Sequence, residues 1–207
     1  MQKFNIVILI SGYGSNLKAI IDYVNNFNLP INISAVISSN NQAYGLTIAQ
    51  QHNIATYILD SQRDSRHGSQ DNLSSALLNI IHPYNPKLII LAGFMKILPE
   101  QFINYYPNKI LNIHPSLLPK YPGLNTHQQV IDNNEPEHGC TIHYVTKDLD
   151  AGPIIAQQKI AVCHDDTKET LKLKVQKLEH ELYPKVIASL IIKVNNCSSN
   201  REKYELY

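Results

Sequence analysis

Asn112 and His114 stand two residues apart in the stretch LNIHPSLLPKYPG, where an apolar run gives way to a loop with three prolines. On an extended chain that spacing sends both side chains to one face. Asn supplies N–H donors, and His supplies a donor or a proton. Two such groups on a stiff loop suit an oxyanion forming on a carbonyl-derived carbon. The plain alternative is a structural His bonded to a backbone carbonyl beside a turn-forming Asn. Pro115, Pro119 and Pro122 fix the loop's backbone and favour the chemical reading.

Two further groups belong to the same question. The stretch GCTIHYVTKDLDAGPII places Asp150 just before Gly152-Pro153, with His143 on the strand that feeds the turn. An acid there is most often only a turn residue. His114, His143 and Asp150 could also ligate a metal, but no His-x-x-x-His pair supports that, and a metal-free site is preferred. Ser116 lacks the strained G-x-S-x-G elbow of a hydrolytic nucleophile. Near the start, SGYGSN leads into a helical pattern, so Gly14, Ser15 and Asn16 could offer N–H groups and a helix dipole to an anion. There is no third glycine near Leu17 and no acid after the second strand, which ends Ser38-Ser39-Asn40. That excludes a dinucleotide, and the missing Lys excludes a P-loop, leaving a single phosphate. The alternative is a tight turn in which Ser15 or Asn16 caps the helix.

These groups need a scaffold. Phe4–Ile10, Ile31–Ile37 and Leu88–Ala92 are apolar throughout, as strands of a parallel sheet covered on both faces are. Leu111–Ile113 is a shorter fourth. Between them, 16–27, 45–52 and 73–81 read as helices, and 167–194 as the longest, which Pro184 should kink or break. Strand and helix alternate to about residue 115, which argues for right-handed βαβ units. Thr141–Val145 and Ile154–Val162 then predict an antiparallel pair at the sheet's edge. In a doubly wound sheet, ligands sit beyond the strands' carboxyl ends where the order reverses. The loops after residues 10, 92 and 113 would meet there.

Length and composition agree with this frame. With 207 residues and no linker, one α/β domain over 1–195 is expected, followed by a loosely ordered tail over 196–207. Lys plus Arg number 18 and Asp plus Glu 17, so net charge makes no case for nucleic acid or a membrane surface. The apolar start is too short to span a bilayer and has no small-x-small cleavage site. Three cysteines without a CxxC read as reduced thiols in the cytoplasm.

Together the blocks SGYGSNLKAI, LAGFMKIL, LNIHPSLLPKYPG, EHGCTIHYVTKDLDAGPII and VQKLEHELYP resemble the phosphoribosylglycinamide formyltransferase (glycinamide ribonucleotide transformylase) family. The resemblance spans nearly the whole chain. It implies a Rossmann-like, mostly parallel sheet and transfer of a formyl group from 10-formyltetrahydrofolate, as cosubstrate, to the amine of glycinamide ribonucleotide in purine synthesis. It implies catalytic roles for Asn112, His114 and Asp150, and a phosphate loop at Gly14, Ser15 and Asn16. Met95, Gln176 and Glu179 fall on the nucleotide side. The folate side falls on Lys96, Ile97, Leu98, Phe102 and Val145, with backbone of Lys147, Asp148, Leu149 and Asp150. Arg66 is a candidate for the folate's glutamate tail. A cis Leu118–Pro119 bond is also implied, as are small-molecule partners only, no metal, and a monomer or homodimer.

The sequence departs from the family's bacterial pattern at Tyr13, Lys96, Lys147 and Ala151, none of them among the three catalytic residues. Four other readings compete. Methionyl-tRNA formyltransferase needs a further RNA-binding domain. Formyltetrahydrofolate hydrolase carries an extra domain before the first strand. A sugar-nucleotide formyltransferase is looser still. A non-catalytic folate- or nucleotide-binding module is set against the intact Asn112, His114 and Asp150.

Overall fold

A computed structural model describes residues 3–59 and 70–201, with side chains over 3–59 and 71–192. Arg66 lies outside the described residues. The elements follow in the order β1 (Phe4–Ile10), α1 (Ser15–Asn26), β2 (Ile31–Ser38), α2 (Tyr44–Gln51), β3 (Ala55–Ile58), α3 (Gln70–Ile81), β4 (Leu88–Leu91), α4 (Glu100–Tyr105), β5 (Ile110–His114), α5 (Thr126–Asp132), β6 (Glu137–Tyr144), β7 (Ile154–Ala161) and α6 (Lys168–Arg201).

The strands form one sheet in the order β3-β2-β1-β4-β5-β6-β7. Pairing is parallel from β3 through β5, then antiparallel between β5 and β6 and between β6 and β7. The apolar run of β1 feeds both faces, as strand alternation requires. Ile6, Ile8 and Ile10 join Leu17, Val175 and Ile187 in one core. Val7 and Leu9 join Leu77, Ile81 and Phe102 in the other. The order reverses between β1 and β4, so the loops after β1, β4 and β5 are neighbours at one edge of the sheet.

The sequence reading needs three amendments. β3 was not anticipated, nor were the short helices α4 and α5. Of the two outcomes expected at Pro184, a break does not occur: α6 runs on through it. An interior proline costs about 3 kcal/mol. Burying Tyr183, Ile187 and Ile191 on the same helix returns about 1.5–3 kcal/mol each, which outweighs it. The helical backbone extends to Arg201.

Candidate active site

Asn112 and His114 sit on β5, and both reach Asp150 from the same face. Asn112 Nδ2 donates to Asp150 Oδ1 at 3.4 Å. His114 Nδ1 lies 3.3 Å from Asp150 Oδ2. His114 Nε2 donates to the Tyr121 carbonyl at 2.8 Å. Both ring nitrogens thus face acceptors, an arrangement satisfied on both sides only by the doubly protonated ring. His143 donates from Nδ1 to the Tyr144 carbonyl at 3.0 Å, and its Nε2 lies 3.2 Å from Asn112 Nδ2 and 3.6 Å from Asp150 Oδ1. The Gly123 N–H donates to Asp150 Oδ2 at 2.9 Å.

The Asp150 side chain is 7% exposed. Burial pushes its carboxyl pKa up, but the His143 ring, the Gly123 N–H and the charge on His114 outweigh this and hold it below the usual range. The carboxylate is therefore ionised wherever the protein is folded at neutral pH. Its φ is 50° and that of Tyr121 is 56°. Both residues that present acceptors to His114 thus hold left-handed backbone, which costs energy outside glycine and persists only where surroundings fix it. Tyr121 is fixed by its hydroxyl, which donates to Glu135 Oε1 at 2.7 Å, while Lys120 Nζ reaches the same carboxylate at 2.8 Å. Thr141 ties the preceding loop down, donating to the Ser116 carbonyl at 2.6 Å and accepting from the Leu118 N–H at 3.1 Å. The Leu118–Pro119 bond is cis. Ser116 is fully buried with its hydroxyl donated to the Lys120 carbonyl, so it is no nucleophile.

Among the described residues, no group of three or more His, Cys, Asp or Glu is arranged to hold a metal ion. Tyr121 and Gly123 escaped the sequence reading because they act through backbone groups, which leave no side-chain signal. The only hint was the Pro-Gly turn that carries them.

The loop after β1 supplies a second set of donors. Gly14 is the N-cap of α1 in the left-handed region, at φ 85°, with no side-chain cap. Neither Ser15 nor Asn16 caps the helix, contrary to the plainer expectation. Ser15 Oγ accepts from Gln176 Nε2 at 2.9 Å, and Asn16 Nδ2 donates to Glu179 Oε2 at 2.8 Å. The first N–H groups of α1 therefore have no intrahelical partner and no side-chain cap. A Cβ on Gly14 would lie 2.6 Å from the Gly45 Cα, so the loop packs backbone to backbone against α2. The Tyr13 ring is exposed and stacks on Tyr44 at 5.0 Å between centroids, outside the loop. Met95 is exposed, and its N–H donates to Ser11 Oγ at 2.8 Å, joining the β4 loop to the β1 loop.

The residues expected on the folate side divide. Ile97 and Leu149 are exposed, and Lys147 and Asp148 share the exposed turn before Asp150. Lys96 and Val145 are half-buried. Leu98 is 6% exposed and Phe102 is fully buried beside Tyr106. In this structure Phe102 therefore backs the loop from within the core, because α4 turns its ring inward, and offers no surface to a ligand.

Glu179 is half-buried, and Asn16 Nδ2 donates to its carboxylate. Burial, offset in part by that hydrogen bond, pushes its pKa up to about 7 from 4.5. The folded state thus holds a proton that the unfolded chain has released. The stabilisation is full below pH 4.5 and is lost as pH rises toward about 7. His127 and His138, held down to about 4 chiefly by burial, act in the opposite direction on acidification. Glu179→Gln keeps the Asn16 contact and removes only the first effect. We expect its thermal midpoint to exceed the parent's at pH 8 and to converge with it near pH 4.5. A constant difference across that range would refute the assignment.

The comparisons bear on the whole of this arrangement. The Formyl transferase family model matches residues 4–187. A phosphoribosylglycinamide formyltransferase of Escherichia coli (strain K12) is 45% identical over 184 residues, which cover 89% of this chain and 85% of the relative. Among solved structures, phosphoribosylglycinamide formyltransferase from Coxiella burnetii is 48% identical, with a TM-score of 0.84, covering 90% of this chain and 86% of that one. The enzyme of the same name from Brucella melitensis is 41% identical, with a TM-score of 0.85, covering 91% and 96%.

Proposed function

The chain belongs to the formyl transferase family, and on that premise we propose how its own residues carry the formyl group from a folate donor to an amine. It is an enzyme of purine biosynthesis that formylates the amine of glycinamide ribonucleotide. The donor is 10-formyltetrahydrofolate, taken as a cosubstrate, and no metal takes part. The observation that carries the reading is the convergence of Asn112 and His114 on Asp150 at 3.4 and 3.3 Å, at the same end of the sheet as the uncapped start of α1.

The neutral amine attacks the formyl carbon and gives a tetrahedral intermediate with a negative oxygen and a positive nitrogen. Asn112 Nδ2 lies 3.4 Å from Asp150 Oδ1 and 3.2 Å from His143 Nε2, and one of its two hydrogens leaves these contacts to donate to that oxygen. His114 Nε2 is committed to the Tyr121 carbonyl. Its Nδ1–H, only loosely held at 3.3 Å, is the proton shared with the oxyanion, and its charge makes this the stronger bond. The attacking nitrogen then loses a proton, the folate nitrogen gains one, and the bond to that nitrogen breaks. Asp150 orders a water that relays these protons. Gly14, Ser15 and Asn16 hold the substrate phosphate, with Gln176, Glu179 and Met95 on the nucleotide side. Ile97, Leu98, Val145 and the 147–150 backbone form the folate side.

Purified protein given formyl-folate and glycinamide ribonucleotide should release deformylated folate. The dephosphorylated riboside should lose about 10–10²-fold in kcat/KM, the effect of one or more hydrogen bonds to a charged group. Equal kcat/KM for the two acceptors would reject the phosphate assignment.

A further inference from the structure

We infer that Tyr183 is a positioning residue for the formyl transfer, its hydroxyl pinning the seam between β4 and β5 directly beneath Asn112. The inference rests on the role proposed above for Asn112. The Tyr183 hydroxyl lies 3.1 Å from the Leu91 carbonyl and 3.0 Å from the Leu111 carbonyl. Those carbonyls belong to neighbouring strands, in a ladder that pairs Leu91 with Asn112. The Ile89 N–H donates to the Lys109 carbonyl across this seam. Strand alternation turns Leu91 and Leu111, two residues further on, toward the same seam. One hydroxyl proton is thus shared between two strands at the last ladder position before Asn112 and before the loop that carries Gly93 and Met95.

The hydroxyl is well placed for this and for little else. Tyr183 is fully buried, so no water competes for its proton. Burial, with the Glu179 carboxylate nearby, raises its pKa well above the ordinary value, so it remains a donor at any working pH. Gln176, Glu179 and Tyr183 follow one another at three- and four-residue steps, which lines them along one face of α6. That face touches Ser15, Asn16 and the β4–β5 seam in turn. The stripe spans about 10 Å at 1.5 Å per residue. A single rigid helix therefore sets the distance between the loop after β1 and the strand bearing Asn112. In a transfer between two bound substrates, that distance governs the alignment of amine and formyl carbon.

Tyr183→Phe removes one oxygen and keeps the ring that fills the core. We expect kcat to fall about tenfold, less than the 10²–10³ that follows from deleting an oxyanion donor outright, with KM for both substrates unchanged. In an Asn112→Ala background the same change should cost no further kcat, because the group it positions is gone. A lowered thermal midpoint with unchanged kcat would assign Tyr183 to packing alone and overturn the inference, as would full additivity with Asn112→Ala. If Tyr183→Phe does not fold, 3-fluorotyrosine at 183 keeps the ring and alters only donor strength. An unchanged kcat there would likewise overturn it. Should Asn112→Ala itself retain parental kcat, the proposed chemistry fails first, and the two failures are told apart.

Discussion

Asp150→Asn should lower kcat by at least about 10²–10³ at neutral pH, with KM for both substrates little changed. The reason lies in what surrounds the two oxygens. Oδ2 takes the Gly123 N–H at 2.9 Å and faces His114 Nδ1 at 3.3 Å. Oδ1 takes Asn112 Nδ2 at 3.4 Å. An asparagine must place its NH2 on one side or the other, and on either side it meets a donor. The substitution therefore does more than remove a charge. It sets donor against donor in a nearly dry site, where an unpaired polar group costs about 1–3 kcal/mol. It also removes the acceptor that gives a doubly protonated His114 its second partner, and with it the stronger of the two oxyanion bonds. A steady-state assay with both substrates saturating reads kcat directly. Parental kcat in the Asn variant would sink this division of roles. Loss of parental activity to a chelator, restored by zinc, would return the His114, His143 and Asp150 set to a metal.

Much of this site could be read from the chain before its fold was known. The Asn-x-His spacing places both side chains on one face of an extended strand, and β5 carries them so, because period-two alternation is a property of any strand. β1 runs over the very residues expected, since an unbroken apolar run bounded by Gly-x-Gly has few other uses. Other parts left weaker marks. β3 is four residues long and half-exposed, with no apolar run to reveal it. α4 and α5, at six and seven residues, are too short to display a 3.6-residue period. The Tyr121 carbonyl and the Gly123 N–H bond His114 and Asp150, and they belong to a backbone that every residue shares. Phe102 is a different case. Its place in the family pattern suggested a ligand wall, whereas the turn of α4 sends the ring into the core. Gln176 and Glu179 entered through the resemblance alone. Contacts with Ser15 and Asn16, some 160 positions away in sequence, cannot be inferred from spacing along a helix.

Gly152→Ala should cost about 10²-fold in kcat although residue 152 bears no side chain. A β-carbon there would lie 1.8 Å from the Tyr144 carbonyl oxygen and 2.9 Å from its carbon. Both are backbone atoms of β6, so no side chain can turn aside to make room. The Tyr144 N–H also donates to the Pro153 carbonyl at 2.9 Å, closing the base of the loop that presents Asp150. Relieving the clash must open that base by more than 1 Å, since ordinary contact begins near 3.4 Å. Asp150 moves with it, and its approach to His114, already 3.3 Å, passes out of hydrogen-bonding range. A misplacement of about 1 Å in a catalytic group is enough for a loss of about 10², and overpacking adds about 1–3 kcal/mol of lost stability. Ala151→Gly, one residue earlier at an exposed position, should leave stability within about 0.5 kcal/mol of the parent and kcat close to it. The pair separates a general loosening of the turn from a displacement of Asp150. If Gly152 acts through Asp150, then Gly152→Ala adds nothing to the kcat loss of Asp150→Asn. Losses that multiply in the double variant would show that the glycine serves the fold and not the carboxylate.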